Sequence, residues 1–378
     1  MQTFQQTIFD LNNSSYWYPI LYLFAAGIIL YGMPLKTEYL GGRRVQRWYW
    51  FSALLLAFPY ILWAGYRTDF IDTRAYIQAY RSTTSFLSDL PSVLAKNSKD
   101  QGFSVLMVFC KALGIDQYQH FMLLVAAFQM ICMVFIFRKY SEDMWSCLFL
   151  FVASTDYMSW MQNGIRQFIA VAMTFAAFDL LVRKRYMSYV AVVLLASTFH
   201  GTALLMLPFA FIMTGPAMNR KTTMMIVGVV ALIPFIDSVM PLMEDLLANT
   251  QYDDMMSNGI WENDDGTNLI RVLVYSVPAL AALLGRRYIQ HNRDPVINMC
   301  INASMITFAM YAVSAVTSGI YIGRIPIYTT LYGYMVLPWL IDQIFEKQSG
   351  RLIKLLMIGC YVGFYYYQME IIWGLLSK

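Results

Sequence analysis

The sequence predicts an all-α, polytopic integral membrane protein of about 11–13 hydrophobic helices, including a broken or re-entrant pair near His200. Three observations carry this. Of 378 residues, 58% are hydrophobic and only 13% charged, against about 25% charged in soluble domains. The mean hydropathy is +0.50. Apolar runs recur from end to end, from "YPILYLFAAGIILYG" through "FMLLVAAFQMICMVFIF" to "LIKLLMIGCYVGFYYYQMEIIWGLL".

Spans are expected at about 16–33, 49–66, 119–137, 144–157, 163–182, 222–241, 269–286, 296–316, 324–344 and 352–374, each close to the 17–25 residues that cross hydrocarbon. One membrane domain, 1–378, accounts for the whole chain. It carries an outer loop at 67–101 with an amphipathic helix and an acidic outer loop at 242–268. The first fifteen residues hold no Lys or Arg, which argues against a cleaved signal peptide.

Several classes drop out. The five cysteines are scattered through apolar segments, so no disulfide framework is expected. The three histidines have no metal-ligand spacing, and neither HExxH nor CxxC occurs. No metal and no cofactor are therefore expected. The net charge of +4 needs no nucleic-acid partner, because the basic residues sort by membrane side.

Short cytoplasmic loops are enriched in Lys and Arg. Here the clusters are "LGGRRVQR", residues 138–139, 183–185, 220–221 and 286–287, and "EKQSGRLIK". One topology places all of them inside. Its N-terminus is outside, residues 102–114 do not cross, and the run 187–213 goes out and returns. As one straight helix that run would be about 40 Å long, more than a hydrocarbon core of about 30 Å. A break is expected in "TFHGTAL", with His200 at the outer surface and Gly201 easing the helix end. Arg67, Asp69, Asp72, Gln162, Asn163, Arg166 and Arg324 then all lie on the outer side.

In "NGIRQFIA", Asn163, Arg166, Gln167 and Ala170 share one helical stripe. An arginine near a span end can simply snorkel into headgroups. With its flanking amides it also suits a buried oxyanion such as phosphate, and ionisable groups at membrane depth mark function. In "GYRTDFIDTRAYIQAY", Asp69, Asp72 or Thr73, Tyr76 and Tyr80 share a face if the segment is helical. This is either an interfacial helix with solvated charges or a carboxylate that orients a sugar hydroxyl and takes its proton. His200, in "LLASTFHGTALLMLPF", either satisfies loose carbonyls at a helix break or joins the catalytic group. Arg324 begins a late span after "TSGIYIG". The acidic segment "ENDDGTN" lacks EF-hand spacing and is expected to be a solvated loop.

Taken together, "YRTDFIDTRAY" followed by "KDQGFSVL", "QNGIRQFIA" and "STFHGTALLMLP" resembles the EpsG family of bacterial polysaccharide polymerases, related in role to the Wzy polymerases. The likeness covers about 20–345 of the chain. The family pattern falls on Arg67, Asp72, Thr73, Tyr76, Ile165, Arg166, Gln167 and His200, with Arg324 as the late arginine. It implies a multi-pass protein of the bacterial cytoplasmic membrane, active on the extracellular or periplasmic face in exopolysaccharide or capsule synthesis. The reaction would join oligosaccharide repeats carried on undecaprenyl pyrophosphate, with no nucleotide-sugar donor. Asp72, His200 and Arg166 are then the expected catalytic residues. Arg67, Asp69, Thr73, Tyr76, Gln162, Asn163, Gln167 and Arg324 are the expected substrate contacts. The expected partners are the lipid-linked oligosaccharide and membrane lipid, with a flippase and a chain-length regulator nearby. Two rivals stand: a flippase or exporter of lipid-linked glycans, and a membrane O-acyltransferase acting on surface glycan.

Overall fold

The structure is a computed structural model describing residues 16–40, 43–96, 99–235, 266–290 and 292–375. It is dominated by helices, and among the described residues the only sheet is one two-stranded hairpin. The acidic segment expected at 242–268 falls mostly outside the described residues. By internal packing the chain divides into two compact units.

The first unit comprises the chain to Asp179, Ala191–His200 and the chain from Leu355 onward. It opens with α1 (Tyr18–Tyr31), then β1 (Leu35–Leu40) and β2 (Arg43–Trp48), antiparallel with Leu35 opposite Trp48. The sequence marks the basic segment only as a cluster of cytoplasmic charge. Here the alternation Thr37, Tyr39 and Val45, Arg47 suits a two-residue strand period. Glu38 fixes the ribbon, taking 3.1 Å and 3.7 Å contacts from Arg138 and Arg47. Next come α2 (Trp50–Tyr66), α3 (Thr73–Ser82), α4 (Leu90–Lys96), α5 (Gln101–Ala112), α6 (Tyr118–Tyr140) and α7 (Met144–Ala153). A π-helical turn, Tyr157–Asn163, leads into α8 (Ile165–Ala176) and α9 (Phe178–Val182).

Helices α2 and α6 pack against each other more extensively than any other pair of described elements. Gly65 makes it possible: a Cβ there would sit 2.4 Å from Leu123 Cδ2 and 2.9 Å from Leu123 Cα. Small residues are what let membrane helices approach this closely. On α6 the outward side chains Leu124, Phe128 and Ile131 are exposed apolar groups at i, i+4 and i+7, a stripe that belongs against lipid rather than water. At 23 residues, α6 is about 34 Å long. By contrast α5 has 12 residues, about 18 Å, and is too short to cross.

α10 (Tyr186–Ser197) ends where a break is expected, with a 3-10 segment, Gly201–Leu205, following residues 198–200. The second unit comprises Leu180–Val190 and Gly201–Lys354. It contains α11 (Met206–Met213), α12 (Arg220–Leu232), α13 (Leu269–Leu284), α14 (Arg286–Ile289), α15 (Pro295–Ser314) and α16 (Ile327–Ile344). α15 is its axis. The fully buried Asn302 accepts from the Met218 N–H at 2.8 Å and donates to the carbonyls of Met213 and Pro216 at 2.9 and 3.0 Å. One amide thereby locks the α11–α12 turn. The last helix, α17 (Lys347–Tyr366), ends in a second π-helical turn, Tyr367–Ile372.

Among the described residues, Tyr118–Tyr140, Ile165–Val182 and Pro295–Ser314 are long and apolar enough to cross a membrane, accompanied by shorter apolar helices of 10–17 residues. The expected all-α class holds. Of the expected spans these three meet that length and apolarity; the run 187–213 divides at residues 198–200, and residues 236–241 of the expected 222–241 span lie outside the described residues.

Gly65→Val tests the α2–α6 contact. Overpacking costs about 1–3 kcal/mol, so the Tm of the purified protein should fall by several degrees. Gly359→Ala, inside α17 where a Cβ meets nothing within 4 Å, should not lower Tm, because alanine favours the helix over glycine.

Candidate functional site

Both arginines of the first unit that were singled out in the sequence lie at helix ends, but they do different things. Arg67 follows the last residue of α2 and is 3% exposed. Its Nε donates to Thr73 Oγ1 at 3.1 Å, one Nη to the Ala64 carbonyl, and the other to the Gln162 carbonyl at 2.9 Å. One guanidinium thus ties the end of α2, the start of α3 and the π-helical turn together. Burial pulls its pKa down to about 10. Expected as a substrate contact, Arg67 is placed here with its donors on buried protein acceptors, and it is not among the residues lining the cavity described next.

Arg166, the second residue of α8, is 45% exposed at its side chain. Its Nη1 pairs with Asp100 Oδ2 at 2.7 Å, and its side chain hydrogen-bonds Tyr76. Asp100 itself is 6% exposed. These groups line a cavity of about 700 Å³ between α3, α4, α5 and the start of α8, within the range of about 300–1,000 Å³ usual for ligand sites. Asp72, Asp89, Lys96 and Lys99 also line it.

Asp72 precedes α3 but does not cap it with its side chain, and it is exposed. Its N–H donates to Asn163 Oδ1 at 3.1 Å, so the π-helical turn positions it. Ile71 before it has φ +42°, an unusual conformation for a β-branched residue. Asp100 likewise has φ +51°. Strained backbone of this kind tends to collect at functional sites.

The other expected contacts sit elsewhere. Thr73 is buried and serves Arg67. Asp69 pairs with Arg74 on the surface. Gln162 is buried, its amide against Met158 Sδ at 3.2 Å. Gln167 and Ala170 are buried while Arg166 is not. The expected single stripe fails because Gly164 separates Asn163 from a helix that begins only at Ile165. Tyr80 packs on Phe121, rings 4.3 Å apart, and belongs to the apolar cluster under the cavity. His200, expected at the outer surface, is 7% exposed and is not among the residues lining the cavity. Arg324 ends a 3-10 turn, Ile322–Arg324, in the second unit.

Asp100 received no role from the sequence, although it stands in "KDQGF". The signal was an acidic residue directly before a short helix whose second residue is glycine. That glycine has a reason. The Gly102 N–H donates to the Thr198 carbonyl at 2.8 Å, and a Cβ on Gly102 would lie 2.3 Å from Thr198 Oγ1 and 3.0 Å from its carbonyl carbon. The turn before His200 therefore seats the start of α5 and with it Asp100. Among the described residues no group of three or more His, Cys, Asp or Glu is placed to hold a metal ion.

Chemically, the cavity offers a half-exposed cation, an exposed carboxylate and a phenol on one lining. In a comparison with known proteins, the chain matches the model of the EpsG family over residues 48–370. No curated protein and no solved structure matches it.

Two measurements check the geometry. Arg67→Ala strips donors from buried acceptors at about 1–3 kcal/mol each, so its Tm should drop well below that of Asp69→Asn, a surface change worth about 0.5 kcal/mol or less. Arg67→Lys should not rescue it, because one ammonium lacks the planar fork. Burial, opposed by Arg166 and Lys99, raises the Asp100 pKa. A raised folded-state pKa gives stability that is complete below the unfolded value and lost as pH rises through the folded one. Asp100→Asn should remove that step from a plot of Tm against pH.

Proposed function

The chain belongs to the EpsG family and is a membrane protein of polysaccharide biosynthesis; from that premise we propose that it is a glycosyltransferase that polymerises lipid-pyrophosphate-linked oligosaccharide repeats on the outer face of the cytoplasmic membrane. The observation that carries this reading is the cavity in which Arg166, Asp72 and Tyr76 meet beside apolar helices. A lipid-linked donor presents its pyrophosphate at headgroup level, the depth this reading assigns to Arg166, and its glycan in water.

In this reading Arg166 binds the pyrophosphate through the donors that Asp100 and Tyr76 leave facing the cavity. A planar guanidinium matches phosphate oxygens in pairs, and it offsets the charge that grows on the leaving group. Asp72 accepts the proton of the acceptor sugar hydroxyl as its oxygen attacks the anomeric carbon. The new C–O bond forms, the bond from that carbon to the pyrophosphate oxygen breaks, and the electron pair leaves with the lipid pyrophosphate. Tyr76 holds Arg166 from the α3 side. Arg67 and Asn163 set the frame, the first by joining α2, α3 and the π-helical turn, the second by holding the Asp72 backbone. His200, the alternative base, gives way to Asp72 because Asp72 lines the cavity. Arg324 belongs to the second unit and takes no part in the assignment. The break at 198–200 is read as the point where a helix pair turns back within the membrane.

Arg166→Lys should remove chain growth by about a hundredfold or more, the scale of losing one preorganised charge stabiliser, while the protein stays folded and inserted. Asp72→Asn should lower kcat far more than donor affinity. The assay is purified protein in vesicles with lipid-linked repeats. Longer glycan on one lipid supports polymerisation. Unchanged length with altered sidedness would make the protein a flippase, and acyl transfer to glycan an acyltransferase.

A further inference from the structure

Asp100 raises a question that the proposed chemistry leaves open. An arginine meant to bind an anion is already paired with a carboxylate at 2.7 Å, and that carboxylate is almost fully enclosed while the arginine stays half-exposed. If the pair existed only to hold Arg166 still, neutral acceptors would do so without repelling the ligand. A carboxylate beside the anion site opposes the ligand it neighbours, since like charges set side by side repel. Its placement is also costly to build: Asp100 adopts φ +51°, and the start of α5 is pressed onto Thr198 so closely that only glycine fits at 102. The cavity wall also carries Asp72, Asp89, Lys96 and Lys99, so Asp100 is the carboxylate that brings the acidic side chains level with the cations there.

We infer that Asp100 is an internal competing anion, a positioning residue that occupies Arg166 between turnovers and helps expel the pyrophosphate-bearing product. The inference rests on the proposed role of Arg166 in binding a pyrophosphate. Before transfer, the donor anion displaces Asp100 from part of the guanidinium, and the exposed edge of Arg166 gives it access. After transfer, the leaving lipid pyrophosphate carries more charge than it did as a diester and holds Arg166 more tightly. Asp100, tethered 2.7 Å away, is then present at high effective concentration and reclaims the guanidinium as the product leaves. Product release limits many enzymes, and a ligand that binds ground state and product too well gains nothing in turnover. The 198–200 turn enters through Gly102: by fixing the start of α5 it fixes how close the carboxylate stands. This gives the "STFHG" segment a function that does not require His200 to enter the cavity.

The test uses the full-length protein in vesicles and inorganic pyrophosphate as the probe, read as inhibition of chain growth and as direct binding. Wild type should bind pyrophosphate, and Arg166→Ala should lose that binding. Asp100→Asn keeps the shape and one acceptor oxygen but not the charge. It should bind pyrophosphate about tenfold more tightly, with KM for the lipid-linked donor lowered and kcat reduced. Asp100→Glu should restore the wild-type balance. Gly102→Ala, which pushes the start of α5 off Thr198, should shift affinity and kcat in the same directions as Asp100→Asn, so the inference can be tested even if that variant fails to fold. Unchanged or weaker pyrophosphate binding in both Asp100→Asn and Gly102→Ala, with Arg166→Ala still defective, would overturn the role of Asp100 and leave that of Arg166 standing. Equal binding in wild type and Arg166→Ala would overturn both.

Discussion

Charge at the edge of hydrocarbon has to be answered by a partner, and the first unit is organised around two such answers. Removing a guanidinium from water costs several kcal/mol unless its donors are met. At Arg67 they are met by the Ala64 and Gln162 carbonyls and by Thr73. At Arg166 the answer is a carboxylate and a phenol, and the side chain remains half-exposed. The same residue type, placed at the ends of two helices that both pack on α6, is therefore enclosed as a strut in one case and left facing a cavity in the other. Burial decides which.

Irregular backbone makes this arrangement possible. Straight helices would carry their polar groups into the apolar interior or out to one side. Here the π-helical turn before α8 delivers the Gln162 carbonyl to Arg67 and the Asn163 side chain to the Asp72 backbone. Left-handed residues at 71 and 100 reverse the chain directly before α3 and α5. Beneath them, Ile77, Phe103, Met107, Phe121, Ile165 and Ile169 join the cavity-lining helices in one apolar cluster, with Phe199 packed against it. A polar site on an apolar floor is held by packing as well as by the Arg166–Asp100 pair.

The opposite end of the same helices has different chemistry. α2 leaves the hairpin at Trp50 and reaches the site at Tyr66, while α6 runs back to Arg138. There Arg138 donates to the Trp48 carbonyl at 2.7 Å, pairs with Glu38 at 3.1 Å and lies 4.7 Å from the Trp50 ring. The hairpin is thereby anchored to the helix ends, and the exposed side chains between the two ends are apolar.

By itself the sequence determined the helical membrane class, the positions of most apolar helices, the break near residue 198 and the segments that build the site. Those follow from hydropathy and composition, which are local and survive without a fold. Arg166, Asp72 and Tyr76 were legible for the same reason, as polar groups where apolar ones belong. Tertiary structure decided what each polar residue does. Arg67 became a strut, Thr73 and Gln167 were buried, His200 stayed away from the cavity lining, and Asp100 emerged as the partner of Arg166. Spacing along a chain says which residues share a helix face only where the helix has already begun. Gly164, Ile71 and Gly102 set where helices begin and how closely they pack, and that depends on neighbours distant in sequence.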